Sequence, residues 1–295
     1  MALQTVPRPE ATEPAPRKRS ILRPLIRNRL SLGGGVLAAL FLVFAAIGPY
    51  LAPFNPTLVQ LQNRFLPPGA QGHVLGTDEL GRDILSRLLA GDRYALEVAV
   101  LVLGIALAVG FLVGAAAGLG SRWLDDTLMR VTDMFLAFPP LVLAMAVAAA
   151  LGPSLVHAML AMAVVWWPVY ARLIRGQLLI LRHADYVEAA LASGAPRLRV
   201  LLRHIVPNML DPILVQLTMD VGNAILTAAS LAFVGLGAQP PSPDWGLMVA
   251  TGRLYVLQQW WIVTFPGLAI LVVVLAFNLL GDGLRDVLDP TLQQR

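Results

Sequence analysis

The sequence predicts an all-α integral membrane protein, a bundle of six transmembrane helices. Composition is the first reason. Of 295 residues 57% are hydrophobic and 14% charged, with a mean hydropathy of +0.69. A soluble domain carries roughly 25% charged residues, so most of this outer surface has to face lipid. The second reason is the presence of six apolar stretches, at 33–52, 95–119, 134–151, 155–173, 209–236 and 261–280. Each is long enough to suit a hydrocarbon core about 30 Å thick. The third is the uneven spread of arginine between those stretches.

The first 32 residues are rich in Pro and Arg and read as a basic tail. Residues 33–52 are the first span; a cleaved signal peptide is the alternative, but the charged region before it is long and the apolar run is full length. Residues 53–94 make an outer loop, in which 82–90 read as a short amphipathic surface helix ended by Gly91. Residues 95–285 hold the five-helix core with a polar interruption at 175–208, and 286–295 are a second tail. Pro139 and Pro140 require the third span to bend or to start late. Gly152-Pro153-Ser154 is a tight turn between the third and fourth. Gly110, Gly114, Ala115, Ala116, Ala117 and Gly118 let helix backbones approach closely.

With the amino terminus inside, only Arg64, Arg82, Arg87, Arg93 and Arg253 of the 22 basic residues fall outside. The positive-inside rule therefore places both termini and the 175–208 segment in the cytoplasm. The net charge of +4 reports this orientation and not nucleic-acid binding. Cysteine is absent, which excludes disulfides and thiolate chemistry. His73, His157, His183 and His204 lack metal-ligand spacing, so no metal is expected. Gly33-Gly34-Gly35 lacks the lysine of a phosphate-cradling loop. No cluster of His, Ser or carboxylates could do chemistry, so an enzyme is not expected. Trp166-Trp167 and Trp260-Trp261 read as interfacial anchors.

The polar interruption has its own punctuation. Asp185 can cap a helix through Glu188, Ala189 and Ala190; Gly194 can end it; Pro196 suits the first turn of a second helix; Pro207 and Asn208 stop that one. A basic helix–glycine–helix unit of this kind reads as a docking surface. On the fifth span, Gln216, Asp220, Asn223, Thr227 and Ser230 are spaced by 4, 3, 4 and 3 residues and share one face. Asp220 falls near mid-membrane, where a carboxylate has to face the bundle interior or water. The stripe either lines a solute path or supplies hydrogen bonds between helices.

Glu188-Ala189-Ala190 with Gly194 and Ile205-Val206-Pro207-Asn208 resembles the EAA loop of binding-protein-dependent ABC transporter permeases. Residues 75–83 (LGTDELGRD), 239–246 (QPPSPDWG) and 278–286 (NLLGDGLRD) are similar to the dipeptide, oligopeptide and nickel class of that family. Val206 stands where leucine is usual, and Ala228 where relatives often carry an acid. The resemblance implies a MetI-like six-helix permease subunit of the bacterial cytoplasmic (inner) membrane, importing peptides or a similar small solute. It implies as partners a second homologous permease, two ATPase subunits and an extracytoplasmic solute-binding protein. ATP and Mg would sit on the ATPases, and no cofactor on this chain. It assigns ATPase coupling to Tyr186, Glu188, Ala189, Ala190, Ser193, Gly194, Arg199, Arg203, His204 and Pro207. The segment 240–245 either meets the binding protein or caps the bundle. The rival reading is an ion-gradient-driven secondary transporter or channel using Asp220 and Glu97, which has no need of the helix–glycine–helix loop.

Overall fold

The structure, a computed structural model, describes residues 28–288; the basic tail to residue 27 and the last seven residues lie outside it. Its long helices are α1 (Arg29–Leu51), α2 (Ile84–Leu119), α5 (Leu155–Leu181), α8 (Leu210–Phe233) and α10 (Trp261–Leu288), each long and apolar enough to cross a membrane. Between α2 and α5 lie α3 (Arg122–Leu136) and α4 (Pro140–Leu151), bent by 88° at the Pro139-Pro140 break; counted together they make a sixth span. Helix α6 (Asp185–Ala192) and the short α7 (Arg197–Val200) form a knob at one end. Helix α9 (Trp245–Gly252) and the loop before α2 form a cap at the other. No strand occurs among the described residues.

Local signals set the helix starts. Asn28 caps α1 by accepting from the Leu30 N–H, Asp83 caps α2 through the Ser86 N–H, and Asp244 caps α9 through the Leu247 N–H. Pro140 opens α4, where its missing N–H costs nothing.

Packing depends on small residues at crossings. Gly110, Gly114 and Gly118 fall one turn apart along α2 and face α5. A Cβ at Gly110 would stand 2.5 Å from Tyr170 Cβ, and one at Gly114 would stand 2.5 Å from the Ala171 carbonyl oxygen. This is small-xxx-small packing, in which dispersion between close backbones replaces a hydrophobic drive that lipid does not supply.

Three expectations need correction. The segment 82–90 is not a surface helix ending at Gly91, because α2 runs unbroken from Ile84 to Leu119. Gly91 serves a contact instead: a Cβ there would lie 2.4 Å from the Trp245 indole nitrogen. Asp185 is not the cap of α6 either; that place belongs to Ala184, and Asp185 sits in the first turn, where its charge meets the helix dipole. The fourth span continues past residue 173 to Leu181, so the interruption proper starts at His183.

Candidate coupling knob, buried carboxylate and outer cap

The knob has two faces. Val187, Val200, Leu201 and Ile205 are buried and share one core cluster with Ile174 and Leu178 of α5 and Ile213 of α8. On the other face Tyr186, Glu188, Ala189, Ser193, Gly194, Arg199, Arg203 and Pro207 are exposed, with His204 half-buried; Ala190 is half-buried too but packs against the core. Leu191, Leu198 and Leu202 add exposed apolar surface there, at 42%, 66% and 56%. Gly194 takes φ +81°, the left-handed conformation expected of a glycine after a helix. Its N–H donates to Leu191 and the Ala195 N–H donates to Ala190 across that turn. After Pro196 the chain does not stop at Pro207. It passes through a π-turn (Leu201–Ile205) and a 3-10 turn (Val206–Asn208) directly into α8.

The polar stripe of α8 divides in two. Asp220 is 3% exposed and accepts from the Tyr170 hydroxyl of α5 at 2.9 Å, from Gln216 at 3.0 Å and from Asn223 at 3.5 Å. Thr227 and Ser230 turn back and donate to carbonyls of their own helix, at Asn223 and Leu226. The spacing was legible in the sequence; Tyr170, which supplies the interhelical bond, lies 50 residues away and carried no signal. Ala228 is buried on a cavity of about 10 Å³ that Asp244 also lines, so an acid at 228 would meet a second carboxylate. Glu97 sits elsewhere, exposed and paired with Arg93 at 3.1 Å.

Replacing Asp220 by leucine should leave the buried Tyr170 hydroxyl without an acceptor, at a cost of about 1–3 kcal/mol. Asp220→Asn keeps an acceptor and should cost less. Thermal melting of the purified complex is the measurement. Equal melting for wild type and the leucine variant, with transport lost, would favour a path role over a tie between α5 and α8.

Sequence reasoning missed the organisation of the cap. Arg87 of α2 is 1% exposed and donates to the carbonyls of Pro56 at 3.0 Å and Ser242 at 2.9 Å. Its Nε faces Asp78 at 3.7 Å. Arg82 binds Asp78 at 2.6 Å and Glu79 at 3.1 Å. Asp83, besides capping α2, meets His73 at 2.9 Å. Trp245 donates to the Leu88 carbonyl and Trp261 to the Thr77 carbonyl, so Trp261 is a buried clasp and not an interfacial anchor. Burial first, then the charge of Asp78, raises the Glu79 carboxyl above its ordinary 4.5, against Arg82 and Arg87. Residues 75–83 and 239–246 are thus two halves of one buried polar cluster. Arg82 and Arg87, two of the arginines between residues 53 and 94, are folded inside this cluster.

A bundle of helices long and apolar enough to cross a membrane, with a knob at one end and a folded cap at the other, is the architecture of a multi-pass membrane protein. The chain belongs to the family described as the binding-protein-dependent transport system inner membrane component, whose model matches residues 106–294. The N-terminal transmembrane domain of oligopeptide transport permease C matches residues 18–68. Among its relatives is the probable D,D-dipeptide transport system permease protein DdpC of Escherichia coli (strain K12), 49% identical over 88% of this chain and 87% of that one. Another is the di/tripeptide transport system permease protein DppC of Pseudomonas aeruginosa (strain UCBPP-PA14), 42% identical over 97% of this chain and 95% of that one. The solved structure of the inward-facing MetNI methionine ABC transporter matches 68% of this chain and 96% of its own with a TM-score of 0.55 at 18% identity. That likeness establishes the MetI-like fold.

Proposed function

We propose that this chain is one of two permease subunits of an ATP-driven peptide importer, inserted with the knob and both termini in the cytoplasm. The observation that carries this is the two-faced knob: one face is continuous with the core of α5 and α8, and the other offers Glu188, Ala189 and exposed leucines to a partner. A closing ATPase that grips the outer face moves the inner face with it, because packed side chains do not deform continuously. ATP and Mg bind the two ATPase subunits. The cap faces the solute-binding protein that delivers peptide. Relatives named for dipeptide and di/tripeptide transport support the solute class. The buried, hydrogen-bonded Asp220 and the surface-paired Glu97 give an ion-driven carrier little to work with.

Reconstitution tests the reading. Proteoliposomes holding this chain, a second permease and two ATPases, supplied with the binding protein, should import a labelled dipeptide only when ATP is present. This chain alone under a proton or sodium gradient should import none; uptake there would replace the proposal with the carrier reading.

A further inference from the structure

The knob end of α5 carries three arginines with specific partners on neighbouring helices. Arg175 grips Asp125 of α3 through two bonds, from Nε to one carboxylate oxygen and from Nη2 to the other at 2.7 Å. Arg172 donates to Asp133 of α3 at 2.6 Å. Arg182 donates to the Gly118 carbonyl, in the last turn of α2, at 3.3 Å. The three donors are spaced by 3 and 7 residues and so share one face of α5. Asp125 and Asp133 lie eight residues apart on α3, about 12 Å along the helix. Two grips at that separation hold α3 in direction as well as in place.

We infer that this arginine ladder is a positioning element for transport: it locks α3 and the end of α2 to the helix that carries the knob, so that a stroke delivered to the knob moves them together. The inference rests on the knob's coupling role proposed above. Only His183 and Ala184 intervene between the Arg182 cap of α5 and the first residue of α6, so α5 and the knob are joined almost without slack. Helix α4 follows α3 across the proline bend and buries Ala144 in the same core as Met159 and Met162 of α5. Force from the knob therefore has two routes into the membrane: through α8 by chain connection, and through α3 and α4 by the ladder. Exposed ion pairs contribute little in general. The Arg172–Asp133 pair is of that kind, with side chains 57% and 63% exposed. Arg175–Asp125 is different, being two-pronged and only 30% and 18% exposed. It is the rung that matters most.

A charge swap in the complete importer tests this. The readouts are recovery of assembled complex and ATP hydrolysed per dipeptide imported. Arg175→Asp should leave the complex assembled and raise the hydrolysis-to-import ratio about fivefold, the size of a coupling of about 1 kcal/mol. Combining it with Asp125→Arg should restore a ratio within about twofold of wild type, since the swapped pair can bond again. If Arg175→Asp does not assemble, Arg175→Gln, which removes the charge and the two-pronged bond without placing a second carboxylate beside Asp125, provides the same measurement. An unchanged ratio in the single variant, or a double variant no better than the single, overturns the proposal. Gly194→Val in the same complex separates the two ideas. If it uncouples while Arg175→Asp does not, the ladder alone is wrong; if neither uncouples, the knob reading falls as well.

Discussion

Replacing Arg87 by alanine is expected to destabilise the cap by about 3–5 kcal/mol, the cost of truncating a large buried side chain and leaving its acceptors without a donor. Its guanidinium holds three segments that are remote in sequence. One prong reaches the Pro56 carbonyl in the loop before α2, the other the Ser242 carbonyl before α9, and Nε faces Asp78. Asp78 keeps Arg82 and the backbone N–H groups of Leu80 and Arg82 as partners when Arg87 is gone. The carbonyls of Pro56 and Ser242 lose their donor, and a large side chain that is 1% exposed leaves a hole. Arg87→Lys should recover only part, because one ammonium cannot reproduce a planar fork aimed at two carbonyls. The measurement is limited proteolysis of the purified complex, scored at 53–83 and 234–244, together with its melting temperature. Unchanged melting and unchanged cleavage for Arg87→Ala would show that the network does not hold the cap.

Much of the fold was legible because lipid imposes a simple rule. Each span has to satisfy its own backbone and present apolar side chains, so the ends of α1, α2, α5, α8 and α10 can be located from hydrophobic runs to within a few residues, except where a helix continues beyond the membrane. That exception explains three boundary errors. At the cap end α2 extends to Ile84 through polar residues, α5 extends at the knob end to Leu181, and α10 extends to Leu288. The knob was legible because Gly194 and Pro196 act locally, on the backbone of their own turn. The cap was not. Its logic joins Arg87 to Ser242 across 155 positions and Trp261 to Thr77 across 184, and no local pattern encodes a partner at that distance. Gly91 shows the difference in one residue. Read locally it is a helix stop; in the structure it is the gap into which Trp245 fits.

The largest effect on transport is expected from the knob, where Gly194→Val and Glu188→Lys should each reduce ATP-driven peptide import at least tenfold, equivalent to about 1.4 kcal/mol of lost coupling. The two variants act differently. At Gly194 space is not the obstacle, since a Cβ there would meet no atom within 4 Å. The backbone is: φ +81° is poorly suited to a β-branched residue, so valine strains the turn or tilts α6 against α7. Gly194→Asn, which tolerates the left-handed region better, should retain most of the import. Glu188 is exposed and in the first turn of α6, so a lysine there leaves the bundle core untouched but presents the wrong charge to the partner and to the helix dipole. Neither change reaches the buried residues Val187, Val200, Leu201 or Ile205 that root the knob in the core. Insertion and pairing with the second permease should therefore survive, while ATPase subunits copurify poorly or hydrolyse ATP without import. Full import by both variants, with ATPases bound at wild-type levels, would remove the knob from the mechanism. The exposed leucines 191, 198 and 202 would then need another partner to explain why they face outward.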